Sequence, residues 1–124
     1  MSAMACIAWW MTIGYWIALF AATHIPAYKL PPVPVNDKTI HTVCYGLLAI
    51  ALMVSLHLRG KLNAGTGITV LAILLAYGAI DEWTQIPVGR SCELADWYAD
   101  AAGAGVGVVL VTLVLRKLYH SRHA

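Results

Sequence analysis

Charged side chains are scarce in this chain. Eight Lys or Arg and six Asp or Glu make up 11% of its 124 residues, whereas hydrophobic residues make up 60%. A small water-soluble domain cannot bury so large an apolar share, because it hides only a modest fraction of its surface on folding. The composition therefore predicts a membrane protein whose first partner is the lipid bilayer, and the length leaves room for one membrane domain, residues 1–124.

Cysteine pairs and the common motifs of soluble enzymes are also lacking. The three cysteines, Cys6, Cys44 and Cys92, are odd in number and show no framework spacing, which argues against a disulfide scaffold. No H-E-x-x-H or paired-cysteine pattern indicates zinc. The glycine-rich run at 103–107 follows no strand, so it is not a nucleotide-binding loop. Nothing in the chain indicates nucleic-acid binding.

Four long apolar runs are present and predict transmembrane helices at about residues 3–22, 39–58, 68–86 and 96–115. The purely apolar part of the third run ends at Ile80 and covers only about 20 Å as helix, so the helix is expected to continue to Ile86. A cleaved signal peptide is the alternative for the first run, but no Lys or Arg precedes it.

The positions of the cations predict how the bundle is oriented. Prolines in the connector 23–38 exclude a continuous helix there, and Asn36 or Asp37 can cap the next one. Four spans place both termini and the Arg59–Lys61 loop on one side, with five Lys or Arg and no acid, against three Lys or Arg and six acids opposite. The positive-inside rule then predicts an all-α bundle of four transmembrane helices in the plasma (inner) membrane, with both termini cytoplasmic.

Most of the remaining polar side chains lie at the predicted outer ends of spans two, three and four. Residues four apart share one helical face, and three such sets occur here: Asp37 with His41 and Tyr45, Asp81 with Gln85, and Asp96 with Asp100. The candidate ligand-binding set adds the neighbours of these residues and comprises Asp37, Lys38, His41, Tyr45, Asp81, Glu82, Gln85, Arg90, Asp96 and Asp100. No particular cofactor is indicated, although a hard divalent cation such as magnesium or calcium would suit so many oxygen ligands.

The carboxylates of this set have different structural alternatives. Asp37 and Asp96 stand where helices begin, so each could simply cap backbone amides. Asp81 stands near a helix C-terminus, where negative charge is unfavourable, and is therefore predicted to build a site. Glu82 points about 100° away from Asp81 and could instead reach water.

The cationic and titratable residues also have open alternatives. Arg90 is expected to pair with Asp81, Asp96 or an anionic ligand group, or else to be a solvated loop charge. His41 could be a helix-surface histidine, a metal ligand or a general acid or base. His24 is assigned to the membrane interface.

Small residues recur every four positions in the fourth span, at Ala99, Gly103 and Gly107. Such a stripe lets helix backbones approach closely within a membrane. We therefore predict that it packs against another helix.

The polar residues also resemble a known family, the VanZ-like membrane proteins. Asp37-Lys38-x-x-His41-x-x-x-Tyr45 is similar to one family element. Asp81-Glu82-x-x-Gln85, followed by Arg90-Ser91, Asp96 and Gly103, is similar to the second element in order and spacing. One position departs from the pattern, since Asp100 stands where the family usually has Asn. The resemblance implies an integral membrane protein of the cell envelope, in a family whose founding member is associated with resistance to teicoplanin.

Two main hypotheses for function follow. The first is a protein with an outward-facing polar pocket that binds or shields an envelope lipid or a glycopeptide-related ligand, contributing to teicoplanin-type resistance. The second is a small metal-assisted hydrolase or transferase acting on a phosphorylated lipid at the outer leaflet, with His41, Asp81 and Asp96 as candidate catalytic residues. Proton-coupled transport and a purely structural role are further alternatives, and the oligomeric state stays open.

Overall fold

The computed structural model describes residues 2–29 and 36–123. Within these ranges the chain forms four long helices and no strand, and each helix is long and apolar enough to cross a membrane. The helices are α1 (Ala3–Thr23), α2 (Asp37–Leu58), α3 (Thr66–Thr84) and α4 (Leu94–His123). The prediction of four apolar helices is therefore confirmed, whereas the side on which the termini lie stays a prediction.

The helix ends differ from the predicted ones mainly in the second half of the chain. The third helix ends at Thr84 rather than Ile86, and a short 3₁₀ turn, Ile86–Val88, leads to Gly89, which has a φ of 75°. The fourth helix runs to His123, well past the predicted end at 115. Arg116 and Lys117 do not stop it, because cations are favourable near a helix C-terminus.

The connector between α1 and α2 is described only in part. Ala27–Lys29 forms a short 3₁₀ turn, while three of the prolines in the predicted breaker segment fall within 30–35, outside the described residues. Asn36 is the residue that caps α2, since its Oδ1 accepts a hydrogen bond of 2.9 Å from the amide of Lys38. Asp37 is left as the first residue of the helix, with its side chain 54% exposed.

Helices α2 and α4 lie against each other along glycine positions. A Cβ at Gly103 would overlap the main chain of Thr42, and one at Gly107 would lie 2.6 Å from the carbonyl oxygen of Gly46. The packing role predicted for Gly103 and Gly107 is therefore confirmed, and Gly46 completes the contact from α2. We call this contact the glycine seam.

The other helices join the seam through apolar side chains and a few hydrogen bonds. Leu48 and Leu52 of α2 form a buried core with Val70 and Leu74 of α3. The first helix is attached by polar bonds from its own side chains: Thr12 Oγ1 donates to the carbonyl of Ala51 (3.2 Å), and the Tyr15 hydroxyl donates to that of Cys44 (3.0 Å). Trp16 packs edge-on against Tyr77 of α3, with 5.1 Å between the ring centroids.

Candidate functional site

Polar side chains from all four helices meet at one end of the bundle. Because successive helices run in opposite directions, this end contains the last residues of α1 and α3 and the first residues of α2 and α4. Four carboxylates are buried here, on Asp81, Glu82, Asp96 and Asp100. We call this region the polar end. Burying so much negative charge is costly unless partners or ligands compensate it.

His41 and Asp100 form the innermost contact of the polar end. The Nδ1 atom of His41 lies 2.8 Å from Asp100 Oδ1, and its Nε2 atom lies 4.0 Å from Asp37 Oδ2. The His41 residue is 6% exposed and Asp100 only 2%. A buried imidazole held by a carboxylate is oriented for metal binding or proton transfer, so the helix-surface alternative for His41 is wrong.

Asp81 is held by two neutral donors, one at the end of α1 and one just after α3. Its Oδ1 accepts a 3.0 Å hydrogen bond from Thr23 of α1, and its Oδ2 accepts one of 3.0 Å from the side-chain amide of Gln85. His24 Nδ1 lies 3.8 Å from Oδ1. The Asp81 side chain therefore links α3 to the end of α1, a contact that involves a helix outside the three predicted to build the site.

Arg90 is connected to Asp81 indirectly, through the side chain of Gln85. Its Nε donates to Gln85 Oε1 at 3.0 Å, and Gln85 in turn donates to Asp81. The expected ion pair of Arg90 with Asp81 or Asp96 is therefore wrong, because the loop that carries Arg90 turns back over Gln85 instead. The side-chain amide of Gln85 thus donates a hydrogen bond to the Asp81 carboxylate and accepts one from the Arg90 guanidinium.

Lys38 is the cation that meets the buried acids directly. Its ammonium group is ion-paired with Asp96 and bonded to Glu93 Oε2 at 2.7 Å. Simple capping is therefore the wrong account of Asp96, which is buried in the first turn of α4 and paired with a cation. Glu93 lies just before α4, and the hydrogen bond from Lys38 lowers the pKa of Glu93 below its ordinary value. The Lys38–Glu93 bond thus persists into acidic pH and is lost only below this lowered pKa.

Glu82 is directed into the polar end. The residue is 4% exposed, and its Oε2 accepts a 2.9 Å hydrogen bond from the backbone amide of Glu93. The alternative in which this side chain reaches water is therefore wrong. The segment between α3 and α4 folds over the end of α3 and supplies the amide, which a helical wheel of α3 alone cannot show.

Among the described residues, two groups of side chains here have the composition of a metal site. Glu82, His41 and Asp100 each offer a ligand atom, and these atoms all lie within 4.8 Å of one another. The same holds for Asp37, His41 and Asp96. Two buried polar atoms next to the first group, Asp100 Oδ2 and the Tyr45 hydroxyl, have no hydrogen-bond partner among the described residues.

Several residues of the polar end were missed or misassigned by the sequence analysis. Thr23 and His24 bond to α3 rather than merely lying at an interface, and Nε2 of His24 is 3.1 Å from Thr84 Oγ1. Tyr77 stacks on Tyr45, with 5.8 Å between ring centroids. The alternating topology was a usable signal for Thr23 and His24, because it places the end of span one beside the other three ends.

The opposite end of the bundle is different in character. A mainly apolar cavity of about 680 Å³ opens there between α2, α3 and α4, lined by Met53, Leu71 and Val108 among others, with Arg116 also in its wall. Arg59 lies over the ring of Trp9, 4.5 Å from the centroid. No acidic residue of the described chain occurs at this end.

No family model, no curated protein and no solved structure matches this chain. The VanZ-like resemblance therefore stays a prediction that rests on the two sequence elements. What the structure adds is that the residues of both elements lie together: His41 of the first contacts Asp100, and Lys38 pairs with Asp96 of the second. Function is accordingly inferred from the geometry of the polar end.

Proposed function

We propose that this chain is a multi-pass protein of the plasma membrane whose polar end faces outward and binds an anionic ligand of the cell envelope. Four helices long enough to cross a bilayer support membrane insertion. The cations at the opposite end support the orientation with cytoplasmic termini, since positively charged loops are retained inside.

The observation that carries this proposal is the burial of four carboxylates by partners from different helices. Ionisable residues inside membrane helices are costly and mark functional sites by default. Asp81 is the clearest case, because it is 1% exposed and sits at a helix C-terminus, where its charge opposes the helix dipole. A purely structural role would be met more cheaply by apolar packing.

The anionic ligand class is inferred from Arg90, which has no ion pair with a carboxylate within the described chain. Arg90 is partly exposed, and its planar guanidinium suits bidentate contact with a carboxylate or phosphate. Lys38 is already paired with Asp96, so its main role is to neutralise this carboxylate and hold α2 against α4. The VanZ-like resemblance suggests a ligand whose binding or shielding would make the cell more tolerant of teicoplanin-type glycopeptides.

Asp81→Asn tests this function in cells. A teicoplanin-susceptible bacterial host would express the wild-type chain, Asp81→Asn, or Lys61→Gln from the opposite end as the matched control. We expect wild type and Lys61→Gln to raise the minimal inhibitory concentration and Asp81→Asn to abolish the increase, at equal membrane levels on an immunoblot. An Asp81→Asn variant that keeps full tolerance would contradict the proposal.

A metal-assisted hydrolase or transferase acting on a phosphorylated lipid is the second candidate. The 2.8 Å contact between His41 and Asp100 favours it, because a carboxylate-oriented imidazole can take up or deliver a proton. Among the three candidate catalytic residues, Asp81 and Asp96 are held by Gln85 and Lys38, which leaves the proton-handling role to His41. Purified protein that neither hydrolyses a phosphorylated envelope lipid nor transfers a group from it to an acceptor would count against this reaction class.

A further inference from the structure

We infer that Glu82, Asp100 and His41 form a binding site for a single divalent cation within the polar end. The three residues come from α3, α4 and α2 respectively, so the cation would join three helices. This inference rests on the proposed function in one respect: it assumes that the polar end is a working site. It does not depend on which envelope ligand binds there.

The geometry of the three ligand atoms fits one ion. They lie within 4.8 Å of one another, whereas ligand atoms about 2.1 Å from one ion are at most about 4.2 Å apart. Small side-chain movements therefore bring them into range. All three residues are buried, so the ion would be shielded from bulk water, where its attraction to the carboxylates would be much weaker.

An unpaired carboxylate oxygen is the independent observation that points to a ligand. Asp100 is 2% exposed, and its Oδ2 has no hydrogen-bond partner among the described residues. A buried polar atom without a partner carries a substantial desolvation cost. A cation bound between Asp100 and Glu82 would remove that cost by coordinating the carboxylate directly.

The charges around the site also favour a cation. Lys38 is ion-paired with Asp96 and bonded to Glu93, and neither Glu82 nor Asp100 has an ion pair with Lys or Arg within the described chain. Glu82 is compensated by a backbone amide, and Asp100 by His41. Two carboxylates against one imidazole leave a net negative charge that a divalent ion would balance.

The second group of ligand atoms, on Asp37, His41 and Asp96, is the weaker candidate. Its Asp96 is already neutralised by Lys38, and its Asp37 side chain is 54% exposed. Water can solvate Asp37 without any metal. The group of Glu82, His41 and Asp100, which we call the inner group, therefore has the greater need for a cation.

The mixed ligand set decides which ion to use as the probe. Two carboxylates suit hard ions such as Mg²⁺, Ca²⁺ and Mn²⁺, while an imidazole is better accepted by transition metals. Mn²⁺ meets both preferences and is detected by its paramagnetic resonance signal, so it serves as the probe. Competition by Mg²⁺ and Ca²⁺ against bound Mn²⁺ would then rank the physiological ions.

The deciding experiment is a Mn²⁺ titration of the purified full chain in detergent, followed by electron paramagnetic resonance of the free ion. We expect one saturable site in the wild type, and affinity lowered by about tenfold or more in Glu82→Gln and in Asp100→Asn, since even outer-shell changes reach this size. Glu93→Gln is the matched control, because that acid is exposed and pairs only outside the inner group.

A second measurement guards against loss of folding. Mn²⁺ should raise the thermal unfolding midpoint of the wild type and of Glu93→Gln, because a ligand bound only to the folded state stabilises it. The shift should vanish in Glu82→Gln and Asp100→Asn, whose helical content in circular dichroism should match the wild type. Absence of saturable binding by the wild type, or binding that neither inner substitution weakens, would overturn the site.

The outcomes separate this inference from the proposed function. If Mn²⁺ binding fails while Asp81-dependent teicoplanin tolerance persists, the cation site is wrong and the ligand-binding function stands. If Mn²⁺ binds as expected while tolerance does not depend on Asp81, the ligand proposal is wrong and the cation site stands.

Discussion

The two ends of the bundle are held together by different forces. At the polar end, side chains of one helix bond to side chains or backbone of another, as Thr23 does to Asp81 and Lys38 to Asp96. At the opposite end, α2, α3 and α4 diverge around an apolar cavity, with Arg116 in its wall. The same helices are thus joined by polar contacts at one end and have an apolar cavity between them at the other.

This difference shows which contacts determine how the helices of an apolar bundle pair with one another. Within a bilayer, lipid tails solvate apolar side chains as well as neighbouring helices do, so hydrophobic burial alone does not select partners. Close backbone contact and interhelical hydrogen bonds select them instead. Both features occur on the side of His41 and Asp100, where the glycine seam brings α2 and α4 together.

The largest expected effect comes from breaking the seam. Gly103→Ala would place a Cβ against the Thr42 carbonyl, push α4 away from α2 and lengthen the His41–Asp100 contact. We expect a loss of about 3 kcal/mol in unfolding free energy, the upper part of the range for overpacking. Gly105→Ala is the control, because nothing lies within 4 Å of its Cβ position. Equal stabilities of the two variants in SDS-induced unfolding would refute the seam.

A smaller effect is expected when one bridging group of the polar end is replaced. Gln85→Met keeps the shape of the side chain but leaves Asp81 Oδ2 and Arg90 Nε without this partner, at a cost of about 2 kcal/mol. Thr112→Val is the matched change beside the opposite cavity, where the hydroxyl only donates within α4. We expect it to be nearly neutral in the same unfolding assay. The comparison between the ends fails if Thr112→Val is the more damaging change.

The smallest effect separates two tyrosines. Tyr15→Phe removes a hydroxyl that donates to Cys44, so it should cost about 1 kcal/mol, whereas the buried Tyr45 hydroxyl has no partner in the described chain and Tyr45→Phe should cost nothing. Thermal unfolding of both variants in metal-free detergent checks this. A cost for Tyr45→Phe equal to that of Tyr15→Phe would mean that the Tyr45 hydroxyl is engaged.

Much of the fold could be predicted from the sequence because apolar run length and the glycine stripe are local signals. The first two helices begin and end within two residues of the predicted bounds. The end of α4 was misjudged because Arg116 and Lys117 can either follow a helix or extend it, and local sequence does not distinguish the two. His41, Asp81, Asp96 and Asp100 were singled out because polar groups inside an apolar run are conspicuous, and the structure brings them together at one end of the bundle.

The partners within the site could not be predicted in the same way. Helical spacing shows which residues share a face, but not which neighbouring helix or loop that face meets. Arg90 and Glu82 illustrate this limit, since the 3₁₀ turn after α3 directs Arg90 to Gln85 and brings the amide of Glu93 to Glu82. Gly46 was missed because one glycine in an apolar helix has no pattern until its partner is known.

The glycine seam also determines which part of the bundle can move. Helices in backbone contact have no side chains between them that could rotate aside, so α2 and α4 act as a fixed wall. By contrast, the end of α1 is attached to α3 by side chains alone: Thr23 donates to Asp81, and His24 lies within hydrogen-bond distance of Thr84. The contact between α2 and α4 is therefore fixed by the main chain, whereas the contact of α1 with Asp81 depends on side-chain conformation.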